Sequence, residues 1–178
     1  MSIADDALTN LEGFANFAAA LGADLDAPDV VEARETFETA QESFRQLASE
    51  KSDVVSLFTA ARDTAQIYIA NPHAWADLGF MHTLGMNMVM PDVEDDVYFM
   101  PISVEQIITQ ESDVMFLSAR TGNIPIEDQV AHPAISAHPA IASGQYGPWN
   151  QDFILSYQGL TETLTTISDV LSKANKLS

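Results

Sequence analysis

An α/β fold in three layers, with a mostly parallel sheet between helices and a long amphipathic helix leading into it, is predicted by three features of the 178-residue sequence. Short β-branched and aromatic runs recur at Val54–Phe58, Gln66–Ala70 and Val114–Leu117. Segments with helical periodicity separate them, the alternation expected of α/β layering. The first 50 residues carry helical patterns and no strand of their own, which divides the chain into two leading helices (1–50) and an α/β lobe (51–178).

The elements follow in order. Asp5 or Asp6 can cap a helix running to about Ala20, where Leu8, Leu11, Phe14, Ala15, Ala18 and Leu21 form a helical stripe and Gly22 supplies a stop. Asp26 and Pro28 then suit a cap and first turn for a second helix, to about Ser49. Its apolar residues are Val30, Phe37, Ala40, Phe44 and Leu47, and five glutamates lie between Glu32 and Glu50. With one apolar face, this helix should lie along the lobe. Past the first two strands, Asn71-Pro72 breaks the chain ahead of a helix from about His73 to Leu84, closed by Gly85. Pro91–Asp96 reads as a loop, Ser103 as the start of a short helix, and Ile126–Ala131 as another helix. Ile141–Ser143 is the expected last strand, and Ile154 to about Lys173 the closing helix, with Leu160, Leu164, Ile167, Val170 and Leu171 on its stripe. The whole reads as a Rossmann-like lobe.

Composition excludes several functions. Seven basic residues against 26 acidic ones give a net charge of -19, leaving almost no Lys or Arg to cluster on nucleic acid or anionic lipid. No cysteine is present, so disulfides and thiolate metal sites are impossible. No apolar run reaches the roughly 20 residues of a membrane span. Met1-Ser2 followed at once by an acidic amphipathic stretch looks like an introduced start, and a secreted parent would have had a leader before it. No Gly-x-Ser-x-Gly elbow or Gly-rich phosphate loop is present, and nothing nominates a catalytic residue.

The candidate binding residues gather at one place. Between Lys51 and Lys173 the only Lys or Arg side chains are Arg62 and Arg120, each just past the carboxyl end of an expected strand. Ligands bind at that edge of open α/β sheets. Arginine can clasp an anionic oxygen pair there; pairing with Asp63 and Glu127 is the plainer alternative. Tyr68, Trp75 and Tyr98 lie in or near the connections, and Tyr146-Gly147-Pro148-Trp149 follows the expected last strand. These aromatics suit stacking on a flat or bulky ligand, although Trp75 sits in a helical stripe and reads as core. His73, His82, His132 and His138 include two His-Pro-Ala triplets, which read as loop or capping elements and predict no metal site. Ser103 with Gln106 makes a capping box and puts Glu105 in an exposed first turn. Glu105 there either matches the helix dipole or presents a docking carboxylate.

From about Ala27 to Lys173 the chain resembles the periplasmic binding proteins for ferric siderophores, haem and cobalamin. Pro28–Ser49 resembles the helix joining their two α/β lobes. Leu84-Gly85-Met86-Asn87 is similar to the end of a family helix, and Ile102-Ser103-Val104-Glu105-Gln106-Ile107 with Ser112-Asp113-Val114-Met115-Phe116-Leu117 to its most recognisable helix and strand. Pro139-Ala140-Ile141 to Trp149, then Ser156-Tyr157-Gln158-Gly159-Leu160, resembles its closing strand and helix.

The resemblance implies a carboxy-terminal lobe that binds an iron chelate without catalysis or cofactor. It makes Glu105 the carboxylate that docks on an ABC permease, and gives ligand contacts to Arg62, Tyr68, Tyr98, Arg120, Tyr146 and Trp149. It further implies a partner amino-terminal lobe and an extracytoplasmic, lipid-anchored parent. The amino-terminal lobe is absent from the sequence, so the chain is expected to be a cut piece or a natural fragment. The scarcity of arginine favours a hydroxamate or other weakly charged chelate. A Rossmann-like enzyme domain or a partner-binding domain is the alternative reading.

Overall fold

The structure, a computed structural model, describes residues 3–177; the start at Met1-Ser2 lies outside them. Two helices lead: α1 (Ile3–Ala20) and α2 (Pro28–Glu50). After them come β1 (Ser56–Ala60), β2 (Gln66–Ala70), α3 (Ala76–Thr83) and β3 (Phe99–Ser103). A 3-10 helix over Val104–Thr109 leads to β4 (Val114–Ser118), α4 (Ile126–Ala131) and two single-turn helices, α5 (Pro133–Ser136) and α6 (Pro139–Ala142). β5 (Tyr146–Trp149) and α7 (Tyr157–Leu171) complete the chain.

The five strands form one sheet in the order β3-β2-β1-β4-β5. It is mixed: β1 runs parallel to β4 and β4 to β5, while β1–β2 and β2–β3 are antiparallel. The physical reason on one side is length. Only residues 61–65 join β1 to β2, too few for the crossover that a parallel neighbour needs.

Side-chain alternation along the central strands builds a core on each face of the sheet. In β4, Val114 and Phe116 point to one face and Met115 and Leu117 to the other. The first face is covered by α1, α2, α3 and α7, through Leu11, Phe37, Phe44, Leu78, Leu160, Leu164 and Ile167 among others. The second is covered by the 3-10 helix and α4–α6, with Val104, Ile107, Ile135 and Ile141 inside. Every residue of β1 and β4 is buried.

Helix α2 lies along α7 and holds Phe37, Phe44 and Ala48 inward, as its single apolar face requires. The Phe37 ring sits 5.8 Å from that of Tyr157 on α7 and 6.0 Å from that of Phe80 on α3. Its cap differs from expectation: Ala27 is the N-cap, with no side-chain acceptor for the first turn, and Pro28 starts the helix. Gly22 and Gly85, at φ 92° and 99°, take the left-handed conformation after α1 and α3. Each permits a bond back from the following residue, Ala23 N–H to Ala18 C=O at 3.0 Å and Met86 N–H to Met81 C=O at 3.2 Å. Only part of the expected stripe is covered: Leu11 is buried, while Phe14 on α1 and Leu21 just after it are 58% and 74% exposed, as is Phe17 at 64% outside the stripe.

The structure corrects the strand assignment near the end of the chain. Ile141–Ser143 is not a strand, because Pro139 and the capping side chain of His138 nucleate α6 there. The strand is Tyr146–Trp149 instead, pairing with β4 alone at the edge of the sheet, where proline is tolerated. Gly147 lets α7 approach it: a Cβ at this position would lie 2.4 Å from Val170 Cγ2.

Candidate functional site

The parallel strands β1, β4 and β5 end at one edge of the sheet, and β3, antiparallel to β2, ends there too. Beyond that edge lies a hollow of about 260 Å³ lined by Ala60, Arg62, Tyr68, Phe99, Pro101, Arg120, Asn123 and Gln151. Arg62 follows β1 and Arg120 follows β4, so two positions 58 residues apart in sequence line one cavity. Tyr68 reaches it from mid-β2, where its backbone is in register with Ala60 and Pro101.

The two arginines are held differently. Arg62 is exposed and makes no ion pair among the described residues. Asp63 does not hold it in a pair, but accepts the backbone N–H groups of Ala65 and Gln66 at 2.8 and 3.0 Å and shapes the turn into β2. Arg120 pairs through Nε with Asp152 Oδ1 at 3.1 Å, not with Glu127. Beneath it, the buried Ser118 hydroxyl bonds the side chains of Gln151 and Asn123, and accepts the Arg120 N–H at 3.3 Å. This network ties the loop after β4 to the loop after β5. It fixes the rim from below.

Three of the expected contacts fall elsewhere. Trp149 is fully buried, its indole N–H donating to Asp77 Oδ2 at 2.7 Å and its ring edge-on to Phe58 and Trp75 at 5.6 and 5.2 Å. It therefore has no face left for a ligand, and belongs to the core. Tyr146 begins β5 opposite Met115, at the far end of the strand from the hollow, and packs against the second core. Tyr98 is 56% exposed beside His73, Asp95 and Asp96, outside the hollow. It stacks edge-on with Trp75, whose indole N–H donates to the Tyr98 carbonyl at 3.1 Å. Trp75 caps α3 rather than lying inside it, and packs against the first core as expected.

Phe99, Pro101, Asn123 and Gln151 line the hollow without having been singled out from the sequence. No local pattern in the sequence marks them. Glu105 is exposed in the first turn of the 3-10 helix that follows β3, at the same edge of the sheet. The Gln106 side chain accepts the Ser103 N–H at 3.0 Å, and the Val104 N–H bonds Ala65 C=O at 3.0 Å, which anchors that turn to the β1–β2 connection. His132 and His138 are helix caps, accepting the N–H groups of Ala134 and Ala140 at 3.3 and 3.2 Å. No cluster able to hold a metal occurs among the described residues.

Two buried groups give the fold opposite pH responses. Burial pushes the Asp77 carboxyl from 3.8 up to about 6, against the hydrogen bond from Trp149. The unfolded chain releases that proton first, so stability is greatest below 3.8 and falls as the pH rises to about 6. His138 is held below its usual 6.5 by burial, while its Nε2–H donates to Gln110 C=O at 2.8 Å. Its contribution is complete above 6.5 and is lost as the pH falls through the lowered value. Urea unfolding between pH 4 and 7 should show Asp77→Asn removing the loss of stability on raising the pH and leaving the histidine-driven rise. An unaltered profile in that variant would contradict the assignment.

The carboxyl edge of the sheet thus brings two arginines and several polar side chains to one hollow on an α/β scaffold. Over 97% of its length the chain superposes, at a TM-score of 0.87 and 26% identity, on DesE, a ferric-siderophore receptor protein from Streptomyces coelicolor, and covers 58% of that chain. A periplasmic binding protein component of a ferrichrome ABC transporter from Bacillus subtilis matches 94% of the chain at a TM-score of 0.64 and 14% identity, with 64% of its own length covered. That second likeness is one of fold. In sequence, the Fe(3+)-citrate-binding protein YfmC of Bacillus subtilis (strain 168) is 23% identical over 131 residues, 72% of this chain and 39% of the relative. No protein-family model matches. The chain thus has the fold of a periplasmic binding protein of the ferric-siderophore type, over about half of such a protein's length, and these relatives are receptors and binding proteins.

Proposed function

We propose that this chain is the carboxy-terminal lobe of the solute-binding component of an ABC importer, and that its hollow forms half of a cleft for a siderophore-type iron chelate. The observation that carries this reading is the convergence of Arg62, Arg120 and Tyr68 at the carboxyl edge of the sheet. Arginine supplies forked, charge-assisted hydrogen bonds to chelate oxygens, and the aromatic walls of Tyr68 and Phe99 supply apolar contact. A hollow open on one side holds a ligand weakly; a second α/β lobe, joined through α2, closes it. Residues 1–50 are then the approach and strut, and residues 51–178 the lobe. Work of this kind belongs outside the cytoplasm, beside a membrane permease. Among the described residues no helix is long and apolar enough to cross a membrane.

The test is a tryptophan-fluorescence titration of the two-lobed protein with a ferric hydroxamate, a ferric catecholate and haem. Saturable quenching by an iron chelate is expected. Arg62→Ala should weaken it about 10- to 100-fold, the worth of one charge-assisted hydrogen-bonding group. A flat response to all three ligands defeats the reading. Glu105, exposed on an anchored turn, serves as the carboxylate that meets permease arginines. Glu105→Ala should impair iron uptake by cells while leaving the titration as it was, and a loss of chelate binding would show that Glu105 acts in the cleft instead.

A further inference from the structure

We infer that Asp152 sets the charge preference of the cleft, offsetting the charge of Arg120 so that the site selects a neutral or weakly charged ferric chelate over a strongly anionic one. The inference rests on the proposed chelate-binding function and concerns which chelate.

Positive charge is scarce at the hollow. Arg62 and Arg120 are the two Lys or Arg side chains in the wall of the hollow. Asp152 meets Arg120 at 3.1 Å and lines not that hollow but the neighbouring groove beside α7. A ligand in the hollow therefore lies beside Arg120 and within range of the Asp152 charge paired with it. With this pair in place the cleft wall presents one uncompensated cation, Arg62, in a chain of net charge -19.

Asp152 is also held for this position. Its N–H donates to Asn150 Oδ1 at 3.1 Å, and the preceding Gln151 is fastened to the buried Ser118 hydroxyl. The carboxylate is thus carried on a shaped loop. Both partners are about half exposed, at 46% and 51%, so the pair adds little to folding, and its main effect is on the local potential.

Chelate chemistry turns that potential into selectivity. Three hydroxamates each lose one proton and leave ferric iron neutral, whereas three catecholates each lose two and leave a trianion. A trianion in the hollow is repelled by Asp152 and by the surrounding field, and one free arginine does not offset this. A neutral ferric hydroxamate avoids that cost and keeps the hydrogen bonds of Arg62 and Arg120.

Parallel fluorescence titrations of the two-lobed protein with a neutral ferric trihydroxamate and a ferric tricatecholate test the inference, using wild type, Asp152→Asn and Asp152→Glu. Wild type should prefer the hydroxamate. Asp152→Asn should move the ratio of the two affinities toward the catecholate by roughly tenfold, as removal of one nearby like charge requires, and Asp152→Glu should restore the wild-type ratio. Far-ultraviolet circular dichroism confirms that the half-exposed substitutions leave the fold intact. A wild-type preference for the catecholate, or the same ratio in wild type and Asp152→Asn, overturns the charge assignment while leaving chelate binding in place. Failure of every variant to bind either chelate overturns the binding function and this inference together.

Discussion

Replacing Trp149 with alanine is expected to lower the unfolding free energy by about 4–8 kcal/mol. Truncating a buried tryptophan costs roughly 3–5 kcal/mol through lost burial and the cavity left behind. A second loss comes from Asp77, whose buried carboxyl group loses the indole N–H at 2.7 Å. Leaving a buried polar group without its partner costs about 1–3 kcal/mol. Trp149 also sits between Phe58 and Trp75, at 5.6 and 5.2 Å, so both neighbours lose contact at once. Since domains of this size are stable by only about 5–15 kcal/mol, urea denaturation should find the variant at or near the unfolding threshold. Trp149→Phe keeps most of the ring and removes the donor. Combined with Asp77→Asn in a double-mutant cycle, it isolates the indole–carboxyl coupling. A loss below about 1 kcal/mol in the alanine variant is incompatible with the burial described.

Gly159→Ala should be nearly as damaging, by about 2–3 kcal/mol, although it adds a single methyl group. A Cβ at this position would lie 1.9 Å from the Ile154 carbonyl oxygen. The clashing atom belongs to the backbone, so relief requires moving the loop that enters α7 or tilting the helix itself. The same step would disturb the bond from Gly159 N–H to the Ser156 hydroxyl at 3.1 Å, which caps α7. Because that loop also carries Gln151 and Asp152, the proposed chelate binding should weaken along with stability. Gly13→Ala is the matched control: it lies within α1 with open space around it, and should stabilise by about 0.5–1 kcal/mol. Thermal or urea unfolding of the two variants side by side checks the contrast, and equal effects would remove the steric explanation.

Much of the fold was legible because its signals are local. The one-sided stripe of α2 and the glycine stops at Gly22 and Gly85 can be read without knowing what packs where. The central strands were found, and β2 was placed to the residue, because buried strands collect β-branched and aromatic side chains. The two strands that were missed share a cause. Both β3 and β5 are edges, and both contain proline, Pro101 and Pro148, which in a sequence argues against a strand. Whether a strand lies at an edge depends on the whole topology, which no local pattern carries.

The candidate site was legible to the same extent and for the same reason. Arg62 and Arg120 stood out because cations are rare in this chain and each follows a strong strand. The tryptophan and tyrosine in β5 could not be placed while that strand was unrecognised. Read as a loop, Trp149 looked available to a ligand; read as a strand, its side chain turns into the core. Asn123, Gln151 and Asp152 came to light only with the loops folded, since polar residues after strands are too common to single out.

The prolines at the two rims of the sheet have a consequence for how copies of the protein behave in a crowded compartment. An open sheet invites a strand from another molecule to continue it, the first step toward aggregation. Pro101 and Pro148, both exposed, each withhold an amide hydrogen at an outer strand, one at either end. The same residues that hide β3 and β5 in the sequence make the finished sheet a poor template for growth, so the protein can accumulate without joining edge to edge.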